Sequence, residues 1–143
     1  MEFQSRTPWR DEFSGNLAVF CSDERFALAT LEFLQRALGM ERCDLMVVAG
    51  GPAFIAQDEP NLMERLHLLV EAHNVRRIVL VMHADCGYYK SHYGDDAPEQ
   101  QRRDLQRSVS QLRRRWRDMT VRGFVASVRD GDIVFVEVEP EVG

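Results

Sequence analysis

Residues Ile78-Val79-Leu80-Val81-Met82 are apolar at five consecutive positions. A strand with one face in water alternates apolar with polar, so this unbroken run predicts a strand covered on both faces, as in a parallel sheet flanked by helices. The surrounding chain has the matching rhythm. Leu17 to Phe20 reads as a first strand, and Leu31, Leu34 and Leu38 then recur at helical spacing until Gly39 offers a left-handed stop. A second strand runs from about Asp44 to Ala49, ends in the turn Gly50-Gly51-Pro52 and is followed by a segment read as a loop. Pro60 then suits the first turn of a helix in which Leu62, Leu66, Leu69 and His73 share one stripe.

After the Ile78 strand, a long helix is expected from about Pro98 to Met119, with Leu105, Val109, Leu112 and Trp116 on its apolar face. Two β-rich runs then flank Asp130-Gly131, a pair that tolerates the positive φ of a tight hairpin. The expected fold is α/β: a mainly parallel central sheet of about four strands with an antiparallel edge strand and helices on both faces. Residues 1–143 are read as one domain in which 1–15 form a polar leader, with no internal repeat or linker.

Ligands of such sheets collect beyond the carboxyl ends of the strands. Two groups of reactive residues fall there. Cys21, Asp23 and Arg25 follow the first strand, and His83 and Cys86, in His-Ala-Asp-Cys-Gly, follow the third. Two thiolates and an imidazole form a borderline-soft donor set that suits zinc, with bonds of about 2.3 Å to sulfur and about 2.0 Å to nitrogen. Three protein ligands leave a coordination position open, the mark of a catalytic rather than a structural site. Asp23 either fills that position or accepts a hydrogen bond from water held there. Arg25, whose guanidinium can hold a carboxylate bidentately, is the residue that selects between these states.

Composition narrows the remaining classes. Lys and Arg number 18 against 23 Asp and Glu, a net charge of -5, which argues against a nucleic-acid or anionic-membrane binder. Arg102, Arg103, Arg107, Arg113, Arg114, Arg115 and Arg117 are accordingly read as a solvated helical face. No apolar run approaches the roughly 20 residues of a membrane-spanning helix, and the first residues lack the apolar centre of a signal peptide. Three cysteines suit a reducing compartment, so the cytoplasm is expected. A thiol phosphatase is disfavoured because Ala27 stands where its loop would need an arginine, and the absence of Cys-x-x-Cys disfavours a disulfide exchanger.

Together, Cys21-Ser22-Asp23-Glu24-Arg25 and His83-Ala84-Asp85-Cys86-Gly87 resemble the paired motifs of the β-class carbonic anhydrases, Cys-x-Asp-x-Arg and His-x-x-Cys, in order and on the expected elements. The resemblance extends over about Asn16 to Val138. It implies that Cys21, His83 and Cys86 bind zinc, that Asp23 and Arg25 form the catalytic dyad, and that Asp23 ligates the metal only in a closed, water-free state. It further implies reversible hydration of carbon dioxide to bicarbonate by a homodimer or higher homo-oligomer.

The chain departs from that pattern at Val48-Ala49-Gly50-Gly51, where the family commonly has Arg-Asn-Ala-Gly, and also at Glu24 and Met82. Two further readings therefore stand beside the first. One is a zinc hydrolase of carbon disulfide or carbonyl sulfide on the same scaffold, and the other a non-catalytic zinc-binding homologue. Cys43 is read as a core or surface thiol, His67 and His73 as structural, and His92 as a residue of a loop that could shuttle protons. Tyr88 and Tyr89 are placed at the pocket entrance or at a subunit contact.

Overall fold

The computed structural model describes residues 1–140. Five strands, β1 (Asn16–Cys21), β2 (Asp44–Val48), β3 (Arg77–His83), β4 (Thr120–Arg129) and β5 (Asp132–Glu137), form one sheet in the order β2-β1-β3-β4-β5. The first four are parallel, and β5 pairs antiparallel with β4. Helices α1 (Glu24–Glu32), α2 (Ala53–Ala56), α3 (Pro60–Ala72), α4 (Gly87–Tyr93) and α5 (Ala97–Arg115) connect them.

Both faces of the sheet are covered, which is why the central strands are apolar without alternation. Leu17, Val19, Ile78, Leu80 and Met82 face one way and pack with Leu66 and Val70 of α3 and Leu105, Val109 and Leu112 of α5. The intervening residues Ala18, Phe20, Val79 and Val81 face the other way, onto Phe26 of α1 and Leu34 beyond it. Each fully buried Leu or Ile in these layers contributes about 1.5–3 kcal/mol of transfer free energy. Because the side-chain period of a strand is two residues, these two layers hold the register.

That register also sets the functional edge. Phe20 pairs with Val47 on one side and Val81 on the other, so β1 and β3 end side by side at their carboxyl termini, where Cys21 and His83 stand. His83 in turn pairs with Ala126 of β4.

Three expectations need correction. The segment after Gly51-Pro52 is not a loop throughout, because Ala53, Phe54 and Ile55 are buried and wind into the single turn of α2. His92 lies in α4 rather than in a loop. The long helix also stops at Arg115, four residues early: Trp116 takes an extended conformation (φ -125°, ψ 93°), and the chain turns there into β4. The Asp130-Gly131 hairpin forms as expected, with both residues at positive φ (51° and 82°). Residues 1–15 are in neither helix nor strand, yet Phe13 stacks on His73 at 3.7 Å between ring centroids. Among the described residues no helix is long and apolar enough to cross a membrane.

Candidate metal centre

Cys21 is the last residue of β1, His83 the last of β3, and Cys86 the N-cap of α4. The Sγ atoms of the two cysteines and a ring nitrogen of His83 all lie within 4.8 Å of one another, close enough to hold one metal ion. His83 is prepared for that role. Its Nδ1 lies 2.7 Å from the Ala84 carbonyl, so Nδ1 carries the proton and donates it there, leaving the Nε2 lone pair to face the cluster. Nε2 is buried and has no nitrogen or oxygen partner at hydrogen-bond distance; it faces the Cys21 sulfur and, at 3.7 Å, the Asp23 carboxylate. Phe26 stacks on the ring at 4.5 Å and fixes its plane.

Hydrogen bonding divides the two thiols. The Cys86 thiol donates to Cys21, and His83 and the backbone N–H groups of Asp23 and Gly50 add to this, so the Cys21 thiol is held below its ordinary value against the opposing effect of burial. Cys86, as the donor of the pair and a buried group, is pushed up. Burial works to lower the His83 pKa, but the Cys21 thiolate and the Ala84 carbonyl outweigh it and leave His83 above its ordinary value. A cluster that already stabilises one thiolate favours a cation, since metal ligands must be deprotonated.

Asp23 serves two purposes. As N-cap of α1 its Oδ1 accepts from the Arg25 N–H at 2.9 Å, the local role such a residue has at a helix start. Its carboxylate is also gripped by the Arg25 side chain, with Nη2 2.6 Å from Oδ2 and Nε 3.1 and 3.2 Å from the two oxygens. These donors hold Asp23 down to about 2, ionised and able only to accept.

The sequence reading gave no role to two residues of this site. Asp85 takes Arg25 from the opposite side, with Oδ2 3.0 Å from Nη1 and its carbonyl 3.1 Å from Nη2, and Lys90 Nζ lies 2.8 Å from its other oxygen. Gln101, buried on α5, donates from Nε2 to the His83 carbonyl at 2.8 Å. The acidic character of Asp85 inside the His-x-x-Cys stretch was a usable signal; nothing local marked Gln101.

The other candidates lie elsewhere. Cys43 precedes β2, at the amino end of the sheet, and burial pushes its thiol up. His73 meets Asp44 at 2.7 Å and His67 packs edge-on against Trp116. His92 places Nδ1 2.8 Å from the Tyr88 carbonyl. Tyr89 is not at an entrance: it is buried and donates to Asp104 at 2.9 Å, while Tyr88 bonds Gln57. The seven arginines from Arg102 to Arg117 are all exposed, the solvated face expected of them, and Arg113 in addition donates twice to the Val121 carbonyl.

Against known families, residues 11–136 match the family model described as "Putative carbonic anhydrase". The chain belongs to this carbonic anhydrase family. Solved structures agree on the fold. The β-carbonic anhydrase isoform I of Trichomonas vaginalis is 15% identical, with 93% of this chain and 88% of that one covered at a TM-score of 0.62. The β-carbonic anhydrase CafD of Aspergillus fumigatus is 13% identical over 92% and 94% of the two chains, at 0.59. A match to a report of two tetrameric β-carbonic anhydrases from Sordaria macrospora is 16% identical over 87% and 81%, at 0.54. A search of curated proteins by sequence finds no match. Family membership and fold thus rest on most of the chain, and the Cys-His-Cys cluster stands at the sheet edge where ligands of this fold class bind.

Proposed function

We propose that the protein is a zinc enzyme that reversibly hydrates carbon dioxide to bicarbonate. The observation that carries this reading is the convergence of Cys21, His83 and Cys86 beside an ionised Asp23. Two sulfurs and one imidazole nitrogen match the ligand preference of zinc and leave a coordination position for catalysis. Bound zinc would supply a Lewis acid that makes hydroxide available near neutral pH.

The chain's own residues do the rest. Asp23, which can only accept, selects a hydroxyl donor at the open side of the cluster and orients it. Arg25 engages both carboxylate oxygens at the edge of the cluster; were that pair broken, Asp23 could cap the metal. Ala84 and Phe26 hold the imidazole, and the α4 N-terminus faces Cys86 with the N–H groups of Tyr88 and Tyr89.

Stopped-flow hydration assays are expected to show turnover by zinc-loaded protein, lost on chelation and in Cys86→Ala. Absence of turnover from neutral to alkaline pH overturns the proposal. A second substrate class is favoured by the turn Val48 to Gly51, which brings no charged side chain to the site. Carbonyl sulfide and carbon disulfide belong in the same assay, and preferential turnover of either would reassign the substrate. The proposal includes a cytoplasmic homo-oligomer with neither nucleic-acid nor membrane partner. It is supported by the tetrameric relatives, by the net charge of -5 and by the finding that no helix among the described residues is long and apolar enough to cross a membrane.

A further inference from the structure

We propose that Asp85 is a positioning residue: it anchors Arg25 from the side opposite Asp23 and so keeps the Asp23 carboxylate from capping the metal. The inference rests on the metal site proposed above. Its observations are geometric. Arg25 and Asp23 are only two residues apart, so their pair by itself ties the guanidinium to nothing beyond its own helix start. Asp85 supplies the tie across the site, from the β3–α4 connection. It holds Nη1 through its side chain at 3.0 Å and Nη2 through its carbonyl at 3.1 Å. Lys90 lies 2.8 Å from the remaining Asp85 oxygen, so Asp23, Arg25, Asp85 and Lys90 form one chain of alternating charges.

The backbone contributes as well. Asp85 has a φ of 58°, a left-handed conformation in which aspartate and asparagine are enriched among residues with a side chain. That conformation directs both the carbonyl and the carboxylate of one residue at one guanidinium. The side chains of Arg25 and Asp85 are 55% and 57% exposed, so the anchor is a bias rather than a lock.

The test is Asp85→Gly, which keeps the left-handed backbone without strain and deletes the carboxylate. Cobalt(II)-loaded protein is titrated with thiocyanate and followed by visible absorption, because an anion can join the metal only where Asp23 does not cap it. Loss of a nearby negative charge would by itself tighten anion binding. Loss of positioning weakens it, and a weakening of about two- to fivefold is expected for an exposed pair. In an Asp23→Ala background, where nothing can cap the metal, Asp85→Gly should no longer weaken binding. Asp85→Asn keeps an acceptor and the same backbone preference and should stay closer to the wild type than Asp85→Gly.

Unchanged or tighter binding in Asp85→Gly overturns the inference, as does a weakening that persists without Asp23, or a larger loss in Asp85→Asn than in Asp85→Gly. If the wild type takes up no metal, both this inference and the proposed function fall. If it binds cobalt and thiocyanate but hydrates no carbon dioxide when zinc-loaded, only the function falls, and the variants still decide the role of Asp85.

Discussion

Gly51 lies where the turn after β2 passes behind the end of β1, and replacing it with alanine tests how closely that turn supports the Cys21 strand. Its φ is 53°, and a Cβ at that position would stand 2.9 Å from the Cys21 backbone nitrogen and 3.1 Å from the Phe20 carbonyl carbon. The left-handed conformation costs an L-residue about 1–2 kcal/mol. The close approach adds to it, because the atoms met are strand backbone bonded on both sides rather than a side chain that can turn away; overpacking of this kind costs about 1–3 kcal/mol. Gly51→Ala is therefore expected to lose about 2–5 kcal/mol.

Gly39→Ala is the control. Gly39 has a φ of 66°, but nothing lies within 4 Å of the place its new methyl group would take, so only the conformational cost of about 1–2 kcal/mol applies. The unfolded-state gain from replacing a glycine is common to both variants and cancels in the comparison. Urea unfolding with linear extrapolation measures each stability, and Gly51→Ala should be the less stable by about 1–3 kcal/mol. Its zinc content should fall as well, since the displaced atoms belong to Cys21 and Phe20. Equal losses in the two variants would refute the claim that the turn is packed against this strand.

Two further outcomes follow from the site. Gln101→Ala removes the donor at 2.8 Å from the His83 carbonyl and leaves that buried acceptor unpaired; it should cost about 1–3 kcal/mol. Its thermal midpoint should fall by several degrees, and an unchanged midpoint would remove Gln101 from the network. Asp23 in metal-free protein is lowered from 3.8 to about 2 by Arg25, so the stability it contributes is present above the ordinary carboxylate range and lost as pH falls toward 2. Its carboxyl 13C resonance should report an ionised group at pH 3, and Arg25→Ala should move the midpoint up; a wild-type midpoint near the ordinary value would contradict the pair.

Much of this architecture was legible in the chain because burial leaves a periodic trace. The apolar run Ile78 to Met82 signalled a strand between two helical layers, and the Asp130-Gly131 pair signalled a hairpin. Residues 53–56 went unread as a helix because a single turn is too short to carry a helical period. Trp116 kept the spacing of its helix and so extended the expected end, while the backbone around it had already turned toward β4. Tyr89 looked like a residue for an opening because its partner, Asp104, lies on another helix.

The sequence by itself determined the order of the five strands and of the three longest helices, α1, α3 and α5, the two clusters of reactive residues at strand ends, and the chemistry those residue types are suited to. These are local properties, set by the alternation of apolar and polar positions and by the donor atoms of each side chain. Only the tertiary structure decided that Cys21, His83 and Cys86 converge, that Arg25 is shared between Asp23 and Asp85, and that Gln101 on α5 supports the backbone of His83. The physical reason is that these contacts join residues far apart in the chain. They depend on the parallel register of β1 with β3 and on where the helices cross the sheet, and no local pattern records either.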